Sequence, residues 1–115
     1  MKIKDIVRTV YAALDEKKAV DIKIIDISKV TVIADYFVIA GAENDRQVKT
    51  LADNVEEKLG KAKVSPRSIE GYQNANWVLM DYQDVIIHIF NQEQRLFYDL
   101  ERIWTDGKLT EIDNL

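Results

Sequence analysis

The chain has 115 residues, 47% of them hydrophobic, and a formal net charge of −4, so it is long and apolar enough for one folded domain with its own core. It contains no cysteine, which excludes disulfides, thiolate catalysis and zinc–thiolate sites. The acidic balance disfavours extended contact with nucleic-acid phosphates, which needs clustered lysine and arginine. Early charges interrupt any signal peptide and the apolar runs are too short to span a bilayer, so we expect a soluble, cytoplasmic protein.

The first 40 residues predict one helix followed by strands. Residues 3–17 repeat apolar side chains every three or four positions, which is typical of an amphipathic helix. Residues 22–27 interleave isoleucines with charged side chains and predict a half-buried strand. Residues 28–35 fit either a strand or a connecting turn. The apolar run at 36–40 predicts a central strand that is covered on both faces.

A second helix follows the turn at Gly41. Asn44 is a suitable N-cap, and Gln47 stands at the capping-box position three residues later. Val48 to Leu59 supply a helical apolar face, and Gly60 is the expected residue just after the helix. A strand, a turn and a helix in this order indicate an α/β unit.

The second half of the chain predicts a hairpin and a last helix. A short strand at 67–70 and a polar loop precede two strands, 77–80 and 85–90, which a tight turn at 81–84 joins. Asn91 then caps a helix whose apolar face contains Leu96, Phe97, Leu100, Ile103 and Trp104. We therefore predict an α/β fold with a mixed sheet of about five strands flanked by helices. Residues 1–105 form the domain, and 106–115 are a polar C-terminal tail that frays.

Signals of catalysis are weak. His88 is the only histidine and no cysteine can complete a metal set, so a structural histidine is favoured over a general base or ligand. Asp81 and Asp84 read as turn residues rather than as a catalytic carboxylate pair. An anion could bind at the start of the second helix, but the turn there contains only one glycine, Gly41. The sequence contains no phosphate-binding motif and no G-x-S-x-G motif of a nucleophilic serine.

Aromatic side chains near the hairpin indicate binding instead. Tyr72, Trp77 and Tyr82 surround it, and tryptophan and tyrosine are enriched in binding hot spots. Strand alternation puts Trp77 and Leu79 on one face and Met80 on the other. Whether Trp77 lies on an open face or in the core stays undecided at this point.

Several motifs in a fixed order resemble one known family. The series includes Ala-Asp-Tyr-Phe-Val-Ile at 34–39, Asp-Arg-Gln-Val at 45–48, Ala-Asp-Asn-Val at 52–55, Glu-Gly at 70–71, Trp-Val-Leu-Met-Asp-Tyr at 77–82, Asp-Val-Ile-Ile-His-Ile-Phe at 84–90 and Glu-Gln-Arg-Leu-Phe-Tyr-Asp-Leu-Glu-Arg-Ile-Trp at 93–104. Each motif alone is weak, but their order and spacing resemble the ribosomal silencing factor, or Iojap-like, family over nearly the whole chain.

The resemblance implies a regulatory function without catalysis. Members of this family bind ribosomal protein uL14 on the large subunit, block joining of the small subunit, and lower translation when nutrients are scarce. They are often homodimers when free, and their topology is similar to that of nucleotidyltransferases, without catalysis of transfer. For this chain we expect no cofactor and no metal. In this chain Gly41-Ala42 stands where nucleotidyltransferases usually carry Gly-Ser, and no Asp-x-Asp pair occurs, which removes the minimum for two-metal phosphoryl transfer.

The resemblance also assigns contact residues and leaves alternatives. Carried over by position, the surface for uL14 consists of apolar anchors and carboxylates that suit basic side chains, namely Trp77, Leu79, Met80, Asp81, Tyr82 and Asp84. Gln83 departs from the family, which usually has glycine there. Glu70 and His88 match it without an assigned role. A nucleotidyltransferase-like nucleotide-binding module or degenerate enzyme is the alternative function, and a homodimeric scaffold for another partner is a third.

Overall fold

The structure is a computed structural model that describes residues 1–92 and 107–115. Its elements, in chain order, are α1 (Ile3–Glu16), β1 (Val20–Asp26), β2 (Tyr36–Ala42), α2 (Asp45–Lys61), β3 (Ser68–Glu70), β4 (Trp77–Asp81), β5 (Val85–Asn91), β6 (Lys108–Thr110) and a 3₁₀ turn (Ile112–Asn114). The predicted last helix, with Leu96, Phe97, Leu100, Ile103 and Trp104 on its apolar face, lies outside the described residues.

The strands form one mixed sheet in the order β3-β4-β5-β2-β1-β6. Strands β2 and β5 pair in parallel, and the other neighbours pair antiparallel. This confirms the predicted α/β class, but the described sheet has six strands instead of about five. The added strand comes from the segment that we expected to fray, because Leu109 pairs with Ile25 of β1.

Both described helices pack on one face of the sheet. The apolar stripe of α1 buries Ile6, Val7, Val10, Ala13 and Leu14. That face of the sheet is also apolar, so helices and strands share one core cluster. A second cluster, which contains Phe37, Ile86 and Phe90, lies on the opposite face. The covering of the central strand on both faces, predicted from its unbroken apolar run, is confirmed, because every residue of β2 is buried.

The caps of α2 fit the sequence at the start and differ at the end. Asn44 Oδ1 accepts a hydrogen bond of 2.9 Å from the Gln47 N–H. Gln47 Oε1 reaches back one residue further than a capping box, to the Glu43 N–H at 2.7 Å. The helix continues through Gly60 to Lys61, and the left-handed residue that follows it is Lys63, with φ 63°. The expectation that Gly60 follows the helix is therefore wrong, and a lysine takes the left-handed conformation that usually suits glycine.

The segment 28–35 is a loop, which resolves the ambiguity between strand and turn. Asp26 Oδ1 accepts hydrogen bonds from the Ser28 N–H and hydroxyl, and these turn the chain away from the sheet. At the far end of the loop, the N–H groups of Asp35 and Tyr36 both donate to the Asp84 carbonyl. Val32 at the loop tip is fully exposed.

Candidate partner-binding surface

Trp77 is both anchored and accessible. It begins β4 opposite Phe90 of β5, and the two rings pack with centroids 5.0 Å apart. The indole Nε1–H donates a hydrogen bond of 3.2 Å to Nδ1 of His88. Even so, 38% of Trp77 remains exposed. A large aromatic ring that is held by a hydrogen bond and a ring contact, and that is still more than one third exposed, is typical of a binding hot spot.

A shallow apolar depression adjoins this ring. Glu70, Gly71, Trp77 and Leu79 line it, and its volume is about 270 Å³. We call these four residues the Trp77 patch. Its lining is brought together by the pairing of β3 with β4, in which Glu70 stands opposite Leu79. The patch thus combines an apolar floor with one carboxylate.

Gly71 explains why the Glu-Gly pair adjoins the tryptophan. Gly71 has φ +81°, a conformation that side chains with a Cβ rarely adopt. A Cβ built on it would lie 2.1 Å from the Trp77 carbonyl oxygen, far inside van der Waals contact. Only glycine therefore lets the loop after β3 pass so close to the start of β4. The sequence shows the Glu-Gly motif at 70–71 but not this role of Gly71, because the role depends on a contact with Trp77, six residues further along the chain.

The structure corrects the placement of two predicted contact residues. Met80 is fully buried and Tyr82 is 5% exposed, and both belong to the core under the helices. Adjacent strand residues point to opposite faces, so Met80 cannot share a surface with Leu79. Burial, together with the charge of Glu56, raises the pKa of Tyr82 to about 12. We therefore remove both residues from the proposed contact surface.

Asp81 is committed to the turn and to an ion pair. Arg67 Nη2 lies 2.7 Å from its carboxylate, and the Gln83 N–H donates to it at 2.8 Å. Burial alone would raise the pKa of Asp81, but the hydrogen bonds from Arg67 and Gln83 and the Arg67 charge outweigh it, and the pKa falls below its usual value. These contacts favour the turn interpretation over a catalytic carboxylate.

Asp84 stands at the same end of the hairpin, away from Trp77. The paired register runs from Trp77 opposite Phe90 to Asp81 opposite Ile86, which separates the two ends by roughly 13 Å. Asp84 is partly buried just beyond this end, and its carbonyl accepts the N–H groups of Asp35 and Tyr36, where the loop leads into β2. Of the six predicted contact residues, only Trp77 and Leu79 come together in the patch.

The hairpin turn uses a left-handed glutamine. Gln83 has φ 73°, a conformation that costs most L-residues about 1–2 kcal/mol and glycine almost nothing. The turn geometry therefore suits the glycine that the resemblance led us to expect at this position, although the residue here is glutamine.

Replacement of Gln83 by glycine is expected to stabilise the protein. Relief of the left-handed strain, less the extra chain entropy of glycine, predicts a gain of about 0.5–1 kcal/mol in the free energy of unfolding. Urea denaturation measures it. Gln83→Ala, which keeps the strained conformation, is the matched control and should show no gain. A glycine variant less stable than the parent would contradict the strain.

His88 is buried on the same face of the sheet as Trp77. It is 5% exposed, its ring centroid lies 4.8 Å from that of Phe37, and it stacks on Phe90 at an interplanar angle of 8°. Burial lowers the pKa of His88 to about 4. In residues 1–92 and 107–115 no three histidine, cysteine or acidic side chains cluster as a metal site. In this part of the chain, the one side-chain hydrogen bond of His88 is the one that it accepts from Trp77.

Burial of a neutral histidine predicts a defined acid sensitivity. The pKa falls from 6.5 in the unfolded chain to about 4 in the folded one, so between these values the unfolded state binds the extra proton. Stability is then full above about pH 6.5 and falls by on the order of 3 kcal/mol as the pH drops to 4. Denaturant titrations at several pH values measure this loss. His88→Phe should remove most of it, and an unchanged slope in that variant would contradict the assignment.

Two further predicted features do not converge. In the parallel register, Gly41 pairs with Phe90, while Asp84 lies beyond the opposite end, where Tyr36 pairs with Val85. Five residues of strand separate these ends by roughly 17 Å. A single phosphate group therefore cannot contact both Gly41 and Asp84.

Within residues 1–92 and 107–115, neither length nor apolar character suffices in any helix for crossing a bilayer.

Comparison with known proteins identifies one consistent set of relatives. A family model described as "ribosomal silencing factor during starvation" matches residues 1–115. Ribosomal silencing factor RsfS of Bacillus subtilis is 34% identical over 113 residues, which are 98% of this chain and 96% of that protein. The protein of the same name from Zymomonas mobilis is 39% identical over 89% of this chain and 77% of its own length.

Solved structures agree in fold. A crystal structure of a Chromobacterium violaceum protein superposes with a TM-score of 0.88 at 36% identity, and covers 90% of this chain and 87% of that one. A Bacillus halodurans structure gives a TM-score of 0.84 at 27% identity, with 93% and 97% covered. The described sheet and helices thus have the same arrangement as these relatives.

Proposed function

This chain belongs to the ribosomal silencing factor family, and from that premise we propose that it binds ribosomal protein uL14 on the large ribosomal subunit. The Trp77 patch forms the contact, and the bound protein occupies space that the small subunit needs for joining. Translation is repressed by occupancy, so no chemical step, cofactor or metal takes part. The protein acts in the cytoplasm.

The observation that supports this proposal best is the anchored yet exposed ring of Trp77. Its N–H already has an acceptor in His88 at 3.2 Å, so burial against a partner leaves no unpaired donor and incurs no desolvation penalty for it. Packing on Phe90 restricts the ring before binding, which reduces the entropy lost on association. The 38% of Trp77 that is exposed is surface that a partner can contact.

Charge supports a basic partner. Glu70 is exposed beside the apolar floor of the patch, and the chain carries a net charge of −4. A carboxylate at the edge of an apolar contact suits lysine or arginine on the opposite surface and speeds association. Ribosomal proteins that bind RNA phosphates supply such side chains. We also propose that the free protein is a homodimer, which sedimentation equilibrium tests.

Sedimentation of ribosomal subunits tests the anti-association activity. Purified large subunits are incubated with a molar excess of the protein, small subunits are added, and the mixture is separated on a sucrose gradient. We expect the peak of joined ribosomes to fall and the protein to travel with free large subunits. Undiminished joining at saturating protein would contradict the proposal. A second arm, with the protein added after joining, distinguishes blocked joining from active splitting.

A further inference from the structure

A histidine at position 88 is unfavourable for the stability of the folded protein. It occupies a buried apolar cluster with Phe37, Leu79 and Phe90 around it. Its Nδ1 accepts the Trp77 N–H, so the ring proton resides on Nε2 in the neutral form. That Nε2 is buried and has no hydrogen-bond partner within the described part of the chain. A phenylalanine would fill the same space without leaving a buried donor unsatisfied.

In the described residues the His88 ring makes one polar contact, the hydrogen bond from Trp77, and this contact indicates the role of His88. The hydrogen bond joins Trp77 Nε1 to His88 Nδ1 across the β4–β5 pair, from diagonal rather than directly opposite positions. Packing on Phe90 restrains the tilt of the indole. The acceptor on His88 adds a directional restraint, because the hydrogen bond forms only when the indole N–H is directed at Nδ1.

We propose that His88 is a positioning residue that holds the Trp77 indole in the orientation in which it binds its partner. The inference deepens the function proposed above and rests on it for the identity of the partner. His88 itself makes no contact with that partner, since it is 5% exposed. The protein retains a polar atom in its core at a cost in stability and gains a fixed binding ring.

Two variants separate positioning from packing. His88→Phe keeps the ring and removes the acceptor, whereas His88→Asn places an amide oxygen close to the position of Nδ1. We expect His88→Phe to be at least as stable as the parent at pH 7.5 and to bind large subunits about threefold to tenfold more weakly. His88→Asn should be less stable than His88→Phe and yet bind more tightly. A merely structural histidine predicts that affinity follows stability.

The indole N–H resonance of Trp77 gives a readout that does not depend on the ribosome. It is identified in a ¹H–¹⁵N spectrum by its loss in Trp77→Phe. We expect it to move upfield in His88→Phe and to return toward its parent position in His88→Asn, because a hydrogen-bonded proton is deshielded. In the Trp77→Phe background, which has no N–H to hold, His88→Phe should change affinity no further.

The outcomes are distinguishable from failure of the proposed function. If His88→Phe binds as tightly as the parent or leaves the resonance in place, or if His88→Asn rescues neither the affinity nor the resonance, the positioning role is overturned. If the parent does not bind large subunits but the indole resonance moves as expected in the two His88 variants, the ribosomal proposal fails while the orientation of Trp77 by His88 stands.

Discussion

Replacement of Trp77 by alanine is expected to weaken binding to large ribosomal subunits by about 30-fold to 1,000-fold, which corresponds to roughly 2–4 kcal/mol. The variant loses the largest exposed apolar surface of the patch and the ring that packs on Phe90 at 5.0 Å. It also leaves Nδ1 of His88 without the hydrogen-bond donor that Trp77 supplies. Co-sedimentation with purified large subunits over a range of protein concentrations measures the change.

Val32→Ser is the matched control for this experiment. Val32 is fully exposed and apolar, but its loop precedes β2, at the end of the sheet opposite to that at which Trp77 pairs with Phe90. Loss of an exposed apolar side chain there should leave affinity within about twofold, as for surface changes outside a hot spot. Equal affinity of Trp77→Ala and the parent would remove the Trp77 patch from the contact surface. A circular dichroism melt confirms that both variants remain folded.

Replacement of Gly71 by alanine is expected to have the largest effect on folding, a loss of about 2–4 kcal/mol in the free energy of unfolding. Alanine at φ +81° is strained, and its Cβ would lie 2.1 Å from the Trp77 carbonyl oxygen. Relief requires the β3–β4 connection to move, and that shifts the start of β4. The variant should therefore also lose affinity for large subunits. Urea denaturation at 25 °C gives the stability change.

Gly60→Ala provides the opposite expectation within the same protein. Gly60 lies inside α2, and beyond its chain neighbours and the adjacent helix backbone no atom lies within 4 Å of a Cβ built on it. Alanine there should raise stability by about 0.5–1 kcal/mol because it favours the helix. If Gly71→Ala were as harmless as Gly60→Ala, the close approach of Gly71 to Trp77 would be wrong.

The fold was largely predictable because its signals are local. The 3.6-residue period of α1 and the unbroken apolar run of β2 each specify one element by themselves. Strand β6 was not predictable in the same way. Its residues, Lys108–Thr110, are polar or exposed, so nothing in their pattern indicates a strand, and only pairing with β1 places them in the sheet.

The site was predictable only in part, for a reason that lies in strand geometry. The alternation of side chains along a strand correctly separates Trp77 and Leu79 from Met80. The contact residues assigned from the family resemblance, however, included consecutive strand residues as if they shared one surface. Tyr82 shows the same limit, since an aromatic residue near a turn gives no sign of which face it takes. The roles of Gly71 and His88 depend on contacts with Trp77, across a loop and across a strand pair. No pattern within either segment encodes them.

Site-specific photocrosslinking tests the central claim, that the Trp77 patch contacts uL14, most directly. Glu70 is replaced by p-benzoylphenylalanine, which places the reactive group at the patch and leaves Trp77 and Gly71 intact. The same group at Val32 serves as the control. After irradiation with purified large subunits, mass spectrometry identifies the crosslinked protein. The account predicts uL14 as the main product from the Glu70 position and not from the Val32 position. A product from Glu70 with another ribosomal protein or with RNA alone would contradict it.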